Sequence, residues 1–265
     1  MQAIELIDQQ HFSREYQFMA PSPDLAEHVL FYWLLDLRSP QRQDCTFEEI
    51  LLANMYSSLV LNLGAPFAIH DQTDTWVHTC HTSELIGYHA APVTYRHGFN
   101  NFLVGIKFKP ASLNYLFQIK GADINRQTLN ARDVLPRIDR LESAIYESRN
   151  LEAIKTLLET FLREQAPLPG AARHFRYVRQ SLNSPALLES GYQLKKLAGL
   201  LYLSPRTLER YFADSLDISP KKCLSILRFR QALEHYARFG HKADWEELGY
   251  YDFSHFRKEW RRFTG

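Results

Sequence analysis

Apolar residues run through the first half of the chain in short, alternating or unbroken stretches, and through the second half at helical spacing. Ser57-Ser58-Leu59-Val60-Leu61-Asn62-Leu63-Gly64 alternates into a glycine turn, and Phe102-Leu103-Val104-Gly105-Ile106-Lys107-Phe108 is a second strand ended by Lys109-Pro110. Leu85-Ile86-Gly87-Tyr88 and Thr94-Tyr95-Arg96 add shorter pieces. Several strands separated by turn residues predict a compact barrel or sandwich. After Leu135-Pro136 the period changes: Leu141, Ile145, Leu151, Ile154, Leu157, Leu158, Phe161 and Leu162 follow helical spacing. Asn150 is placed to cap the second of these helices, and Glu152, Glu159 and Glu164 read as its solvated face. Two roles stay open for the pair, a dimer seam or a cover for the barrel. Ala166-Pro167-Leu168-Pro169-Gly170 is the clearest linker, because two prolines and a glycine deny helix continuation.

The last third contains one kind of unit twice: a short helix, a turn, then a helix whose outer side is basic and polar. In the first copy Ser204-Pro205 is a strong helix start, with a hydroxyl to accept a free N–H and a proline at the first helical position. Leu208, Tyr211 and Phe212 fall on the packing face, and Arg206, Thr207 and Arg210 point elsewhere. Arg206 and Arg210 suit bidentate contacts to guanine, each worth roughly 1–3 kcal/mol of base discrimination. Upstream, Leu194, Leu197, Leu200 and Leu201 mark a supporting helix, and the small Ala198 allows close crossing.

The second copy puts Phe256, Trp260 and Phe263 inward. Ser254 and His255 can donate or accept at base edges; Arg257, Lys258 and Arg261 can reach bases or phosphates. Between the copies, Ser219-Pro220 repeats the cap-and-proline start of a long helix with Leu224, Leu227 and Ala232 on its apolar side. Lys221 and Lys222 occupy its first turn, where cations oppose the helix dipole, so a phosphate partner would account for them. Two such heads about fifty residues apart suggest a reader of successive major-groove turns.

Charge sharpens this picture. The net charge of the 265 residues is only +1. Residues 171–265 nevertheless hold 17 Lys and Arg against 10 Asp and Glu, a net +7, while residues 1–170 hold 14 against 20, a net −6. That asymmetry fits a polyanion-binding part joined to a non-binding one. Cys45, Cys80 and Cys223 are scattered and odd in number, which predicts no disulfide framework. The start of the chain does not read as a secretion signal, and the longest apolar stretch, Val29 to Leu35, is too short to span a bilayer. A cytoplasmic location follows as an expectation.

Residues roughly 172–265 resemble the DNA-binding domain of the AraC/XylS family of bacterial transcription regulators. Leu197-Ala198, Leu203-Ser204-Pro205-Arg206-Thr207-Leu208, Ser219-Pro220-Lys221, Arg228-Phe229 and Ala232-Leu233 carry the likeness. Most specific is Gly249-Tyr250-Tyr251-Asp252 with Ser254-His255-Phe256 and Arg262-Phe263-Thr264-Gly265. The resemblance implies two helix-turn-helix subdomains joined by a linker helix, with recognition helices near 205–214 and 254–262. It also implies transcription regulation, commonly activation, in contact with RNA polymerase at the nucleoid. Residues about 10–130 look more loosely like the N-terminal domain of some family members, carried by Pro23-Asp24-Leu25 through Tyr32-Trp33, Leu61-Asn62-Leu63-Gly64, Gly87 and Gly105 to Pro110. In relatives that position holds effector-sensing or dimerisation domains, often cupin-like.

Three departures stand out. Tyr202 and Asp217 occupy positions where the family usually has glycine, each costing about 1–2 kcal/mol if the backbone stays left-handed. Phe239 to Leu248 is short and acidic for the usual helix, and the sequence ends at Gly265, where the family generally continues. These favour, as an alternative, an interaction module with a degenerate DNA-binding domain.

A third reading is a metal-dependent cupin-like enzyme, since His70, His78, His81, His89 and His97 crowd one stretch with Cys80 and Glu84. The spacing matches no closed zinc module, and no phosphate-binding glycine loop or nucleophile elbow is present. Phe31, Tyr32 and Trp33 are either core or the lining of a ligand pocket.

The expectation is therefore an α+β chain with three parts: a β-rich sensing or dimerisation domain at 1–135, a helical connector and linker at 136–170, and a double helix-turn-helix domain at 171–265. It is read as a sequence-specific DNA-binding regulator, not an enzyme, with no cofactor and no metal. Expected partners are double-stranded DNA, RNA polymerase, a small-molecule effector at unassigned residues and a second copy of the chain, with no membrane.

Overall fold

The computed structural model describes residues 15–40, 46–71, 75–125, 127–148, 150–165, 171–184 and 194–264. The predicted 166–170 linker, Cys45 and Gly265 lie outside them. The chain is α+β. Ten strands come first: β1 Tyr16–Met19, β2 Val29–Asp36, β3 Phe47–Leu51, β4 Ser57–Asn62, β5 Phe67–Asp71, β6 Val77–Cys80, β7 Glu84–Ile86, β8 Val93–His97, β9 Phe102–Phe108 and β10 Thr128–Asn130. They form a six-stranded sheet in the order β1-β2-β9-β4-β7-β10 and a four-stranded sheet in the order β3-β8-β5-β6. Every recorded pairing is antiparallel.

Strand β9 lies inside the six-stranded sheet and is buried along its whole length, on both faces. Leu103 and Val60 face the four-stranded sheet together with Phe67, Ile69 and Tyr95. Val104, Ile106 and Leu61 face helices instead. Gly105 sits opposite Trp33 in the β2–β9 register. Only a residue without Cβ fits there, because the indole of Trp33 lies directly over it.

Short helices α1 Ser112–Phe117, α2 Gly121–Ile124 and α3 Ala131–Val134 lead into α4 Ile138–Glu147 and α5 Leu151–Arg163. Ile138, Leu141, Ile145, Ile154, Leu158 and Phe161 share one core with the six-stranded sheet. These helices cover the six-stranded sheet. Asn150 caps α5 as expected, its Oδ1 accepting from the Ala153 N–H at 2.7 Å. Glu159 does not lie on a solvated face: it is 5% exposed. Its carboxylate accepts from the Ser22 N–H at 2.8 Å and hydroxyl at 2.7 Å, and from Arg163 at 3.1 Å. Arg163 also pairs with Asp24, so α5 is tied to the loop before β2 through Glu159 and Arg163, while Glu152 and Glu164 are exposed as expected.

The remaining helices are α6 Ala171–Leu182, α7 Leu194–Leu200, α8 Pro205–Leu216, α9 Pro220–Phe239 and α10 Phe253–Thr264. Their core joins the β-rich part. Leu52, Ala53, Met55, Tyr88 and Ala111 belong to the same buried cluster as Phe212, Leu216 and Phe229. No helix among the described residues is long and apolar enough to cross a membrane.

Candidate nucleic-acid interface

The first head is α7, a turn and α8. Leu197 and Ala198 are buried and fix the crossing, whereas Leu200, expected on that face, is 57% exposed. The seven-residue helix is too short to bury all four leucines. Three N–H groups close the turn, Leu201 and Leu203 donating to the Ala198 carbonyl and Tyr202 to that of Gly199. Tyr202 has φ 56°, so the left-handed geometry of the usual glycine is kept at a tyrosine that is 98% exposed. Ser204 caps α8 by accepting from the Thr207 N–H at 3.1 Å, and the Ser204 and Thr207 hydroxyls share a hydrogen bond of 2.8 Å. Leu208, Tyr211 and Phe212 are buried. That leaves Arg206 and Arg210 exposed on the other side, Arg210 lying 5.7 Å from the ring centre of Tyr211.

The second head is built differently. Gly240 ends α9 with φ 60° and one 3₁₀ turn follows, Gly240–Lys242. Residues 245–249, in the stretch expected to be short for a helix, make only turns, closed by Leu248, Gly249 and Tyr250 N–H groups donating to Asp244, Glu246 and Trp245 carbonyls. Asp252 caps α10, its Oδ1 accepting from the His255 N–H at 2.7 Å. The His255 Nδ1 accepts from the Tyr251 N–H at 3.4 Å. Phe256 and Phe263 are buried and Trp260 half-buried, as expected. Ser254, His255, Arg257, Lys258 and Arg261 are all exposed. Among the described residues neither Arg206 nor Arg257, Lys258 or Arg261 has an ion-pair partner.

Helix α9 connects the heads. Ser219 caps it by accepting from the Lys222 N–H at 3.3 Å, Pro220 holds the first position, and Lys221 is exposed with Lys222 half-buried. Glu259 of α10, which was not singled out in the sequence, is held by Ser225 and Arg228 in the first half of α9 and by Tyr250. Its Oε1 accepts from Arg228 at 2.9 Å and from the Ser225 hydroxyl at 3.1 Å, and its Oε2 from the Tyr250 hydroxyl at 2.6 Å. Burial first, then the Glu259 carboxylate, holds the Tyr250 phenol well above its ordinary pKa. The signal was present in Arg228 and Glu259, but 31 residues separate them.

The first head is also docked on the β-rich part. An added Cβ at Gly121 would strike the backbone of Leu216 and Asp217, so α2 and the end of α8 are in direct contact. Asp217, left-handed at φ 49°, accepts from Asn125 Nδ2 at 2.8 Å through its carboxylate. Arg179 of α6 donates to the Glu27 carbonyl at 2.6 Å. His28 stacks on Tyr115 at 4.7 Å and lies 4.8 Å from Phe175 of α6. Burial lowers the His28 pKa, and the positive charges of Arg179 and Lys109 add to that.

The five histidines do not form one centre. His97 is buried between the sheets, and desolvation holds its pKa down to about 4. It lines a space with Glu49, Ser58, Lys107, Trp33 and Tyr95, whose empty volume out to its open mouth is about 350 Å³. His89 contacts the Tyr95 hydroxyl at 3.2 Å, and His81 is exposed. His78, Cys80 and Glu84, by contrast, do converge, with one ligand atom from each lying within 4.8 Å of the others.

Residues 17–130 match a family model described as a domain of unknown function, DUF6597. No curated protein matches the chain. Among solved structures, ToxT from Vibrio cholerae O395 is 10% identical, with a TM-score of 0.44, over 95% of this chain and 94% of that one. Unsaturated fatty acid bound ToxT from Vibrio cholerae strain SCE256 is 10% identical, with a TM-score of 0.46, over 83% and 90%. The AraC-like transcriptional activator CuxR is 15% identical, with a TM-score of 0.32, over 91% and 93%. At this identity and overlap the likeness assigns neither residues nor function.

Proposed function

We propose that the chain is a sequence-specific DNA-binding transcription regulator whose helical part, residues 171–265, reads two major-groove segments through α8 and α10. The observation that carries this reading is the pairing of two capped helices, each with its aromatic stripe buried and arginines facing solvent without ion pairs. An unpaired exposed cation on a helix contributes little to folding, so a cluster of them is better accounted for by a polyanion. Helix α9 has 20 residues, about 30 Å at the helical rise, close to the ~34 Å of one DNA turn. The β-rich part is the proposed sensor of a small-molecule effector, at residues left unassigned.

Duplex binding by anisotropy, at several salt concentrations, tests the assignment. Arg206→Ala and Arg210→Ala are expected to blur base preference at one half of the site. Lys221→Ala is expected to weaken all sequences alike and flatten the salt slope by about 1. Equal, sequence-independent losses from all three would overturn the base-reading role.

A further inference from the structure

We propose that His78, Cys80 and Glu84 form a binding site for a zinc-like divalent cation that joins the two sheets of the β-rich part.

The topology brings these side chains together. His78 and Cys80 lie two apart on β6 and so share a face of that strand, which is the edge of the four-stranded sheet. Glu84 opens β7 in the other sheet, held on one side by β4 and on the other by β10. No strand pairing is recorded between the two sheets. The three side chains thus bridge a gap that the hydrogen-bond ladders leave open.

The donors suit a borderline cation: one imidazole nitrogen, one sulfur and one carboxylate oxygen. Glu84 and Cys80 are buried, while His78 is partly exposed, which leaves a path from solvent. His78 Nε2 already lies 2.7 Å from Glu84 Oε2 and 2.9 Å from the Thr128 hydroxyl of β10. A tetrahedral zinc site spaces its donors by about 3.3–3.6 Å, given metal–ligand distances near 2.0–2.3 Å. Donors within 4.8 Å of one another reach that spacing by side-chain shifts of about an ångström.

The surroundings orient the donors. Trp76 stacks on the His78 ring at 5.9 Å and 10°. Asn62 Nδ2 donates to the Cys80 carbonyl at 2.9 Å, and the Asn62 N–H donates to the Ser83 hydroxyl at 3.1 Å, which fixes the chain between Cys80 and Glu84. The recorded ion-pair partner of the buried Glu84 is His78, so neither Lys nor Arg neutralises it among the described residues. A divalent cation would do so. On binding, the Cys80 thiol gives its proton to solvent, Glu84 enters as carboxylate and His78 as neutral imidazole. Thr128 or a water would fill the fourth position.

This inference is independent of the DNA-binding reading, and its test needs no DNA. Full-length protein is analysed for metal as purified, then stripped and titrated with Co²⁺, following the sulfur-to-cobalt charge-transfer band. The expected result is one cation per chain, with a band that disappears in Cys80→Ser and a Tm that rises on adding Zn²⁺. His78→Gln, at a half-exposed position that tolerates substitution, is expected to weaken cobalt binding at least about tenfold. It keeps the test decisive if Cys80→Ser misfolds. No retained metal together with no band would overturn the proposal, leaving the three groups as a hydrogen-bonded cluster only. So would a band that persists in Cys80→Ser, or cobalt affinity unchanged in His78→Gln.

Discussion

The two heads present similar outer faces on different foundations. Behind α8 lie the helix α7, the helix α6 and the β-rich part, which reaches it through α2 and Asn125. Behind α10 lies the connecting helix α9, and residues 245–249 make turns in place of a supporting helix of its own. Its support is an aromatic cluster around Tyr236, with Phe253, Phe256 and Trp260 at 5.5–5.8 Å, and the Glu259 network to α9. Apolar burial is non-directional, whereas a carboxylate shared by Arg228, Tyr250 and Ser225 fixes an orientation. The second head thus gains from hydrogen bonds what it lacks in a supporting helix. The β-rich part touches α8 through α2 and Asn125, and α9 through Arg230, which donates to the Leu52 carbonyl at 3.5 Å.

The sharpest way to break this contrast is Glu259→Ala. It leaves Arg228 and the Tyr250 hydroxyl without their shared acceptor in a largely buried place, at a cost of about 2–4 kcal/mol. Contacts from α10 to DNA should be lost while those from α8 persist, which footprinting of the two half-sites reads directly. Gly121→Val attacks the other side. Its side chain would be driven into the backbone of Leu216 and Asp217, costing about 1–3 kcal/mol, and should loosen α8 but not α10 in hydrogen exchange.

Acid should act on the same side as Gly121→Val. The His28 pKa is depressed in the folded chain, so on acidification the unfolded or undocked state takes the proton first. Stability from this packing is complete above the ordinary histidine pKa of about 6.5 and falls as pH drops through the lowered one. Exchange at α6 and α8 should therefore rise below pH 6.5 ahead of α10, and His28→Gln should remove the difference. The smallest effect expected is a gain. Tyr202→Gly relieves a left-handed tyrosine that packs on little, for about 1 kcal/mol in thermal melts. Asp217→Gly relieves the same strain but loses the hydrogen bond from Asn125 to its carboxylate, and should come out near zero.

What could be read from the sequence follows the same division. Ser204-Pro205, Ser219-Pro220 and Asn150 declare their caps locally, and the structure finds each side chain accepting from the first turn. The stripes Leu208-Tyr211-Phe212 and Phe256-Phe263 are set by spacing alone and are buried. Long-range pairings were not legible. Glu159 looked solvated because its partner Ser22 is 137 residues away. Glu259 looked like one more charge on a basic helix. His78, Cys80 and Glu84 sat in a crowded stretch whose spacing matched no closed zinc module, and only strand pairing puts two of them on one sheet facing the third on the other.

Two heads of unlike foundation are proposed to read one bipartite site. Selection of the full-length protein against random 30-base-pair duplexes, with bound sequences counted at low and moderate salt, tests it most directly. The account predicts an enriched motif with two specified patches about one helical turn, ~10 base pairs, apart. Binding without enrichment that collapses as salt rises would contradict it, and would reduce the helical part to its net charge of +7.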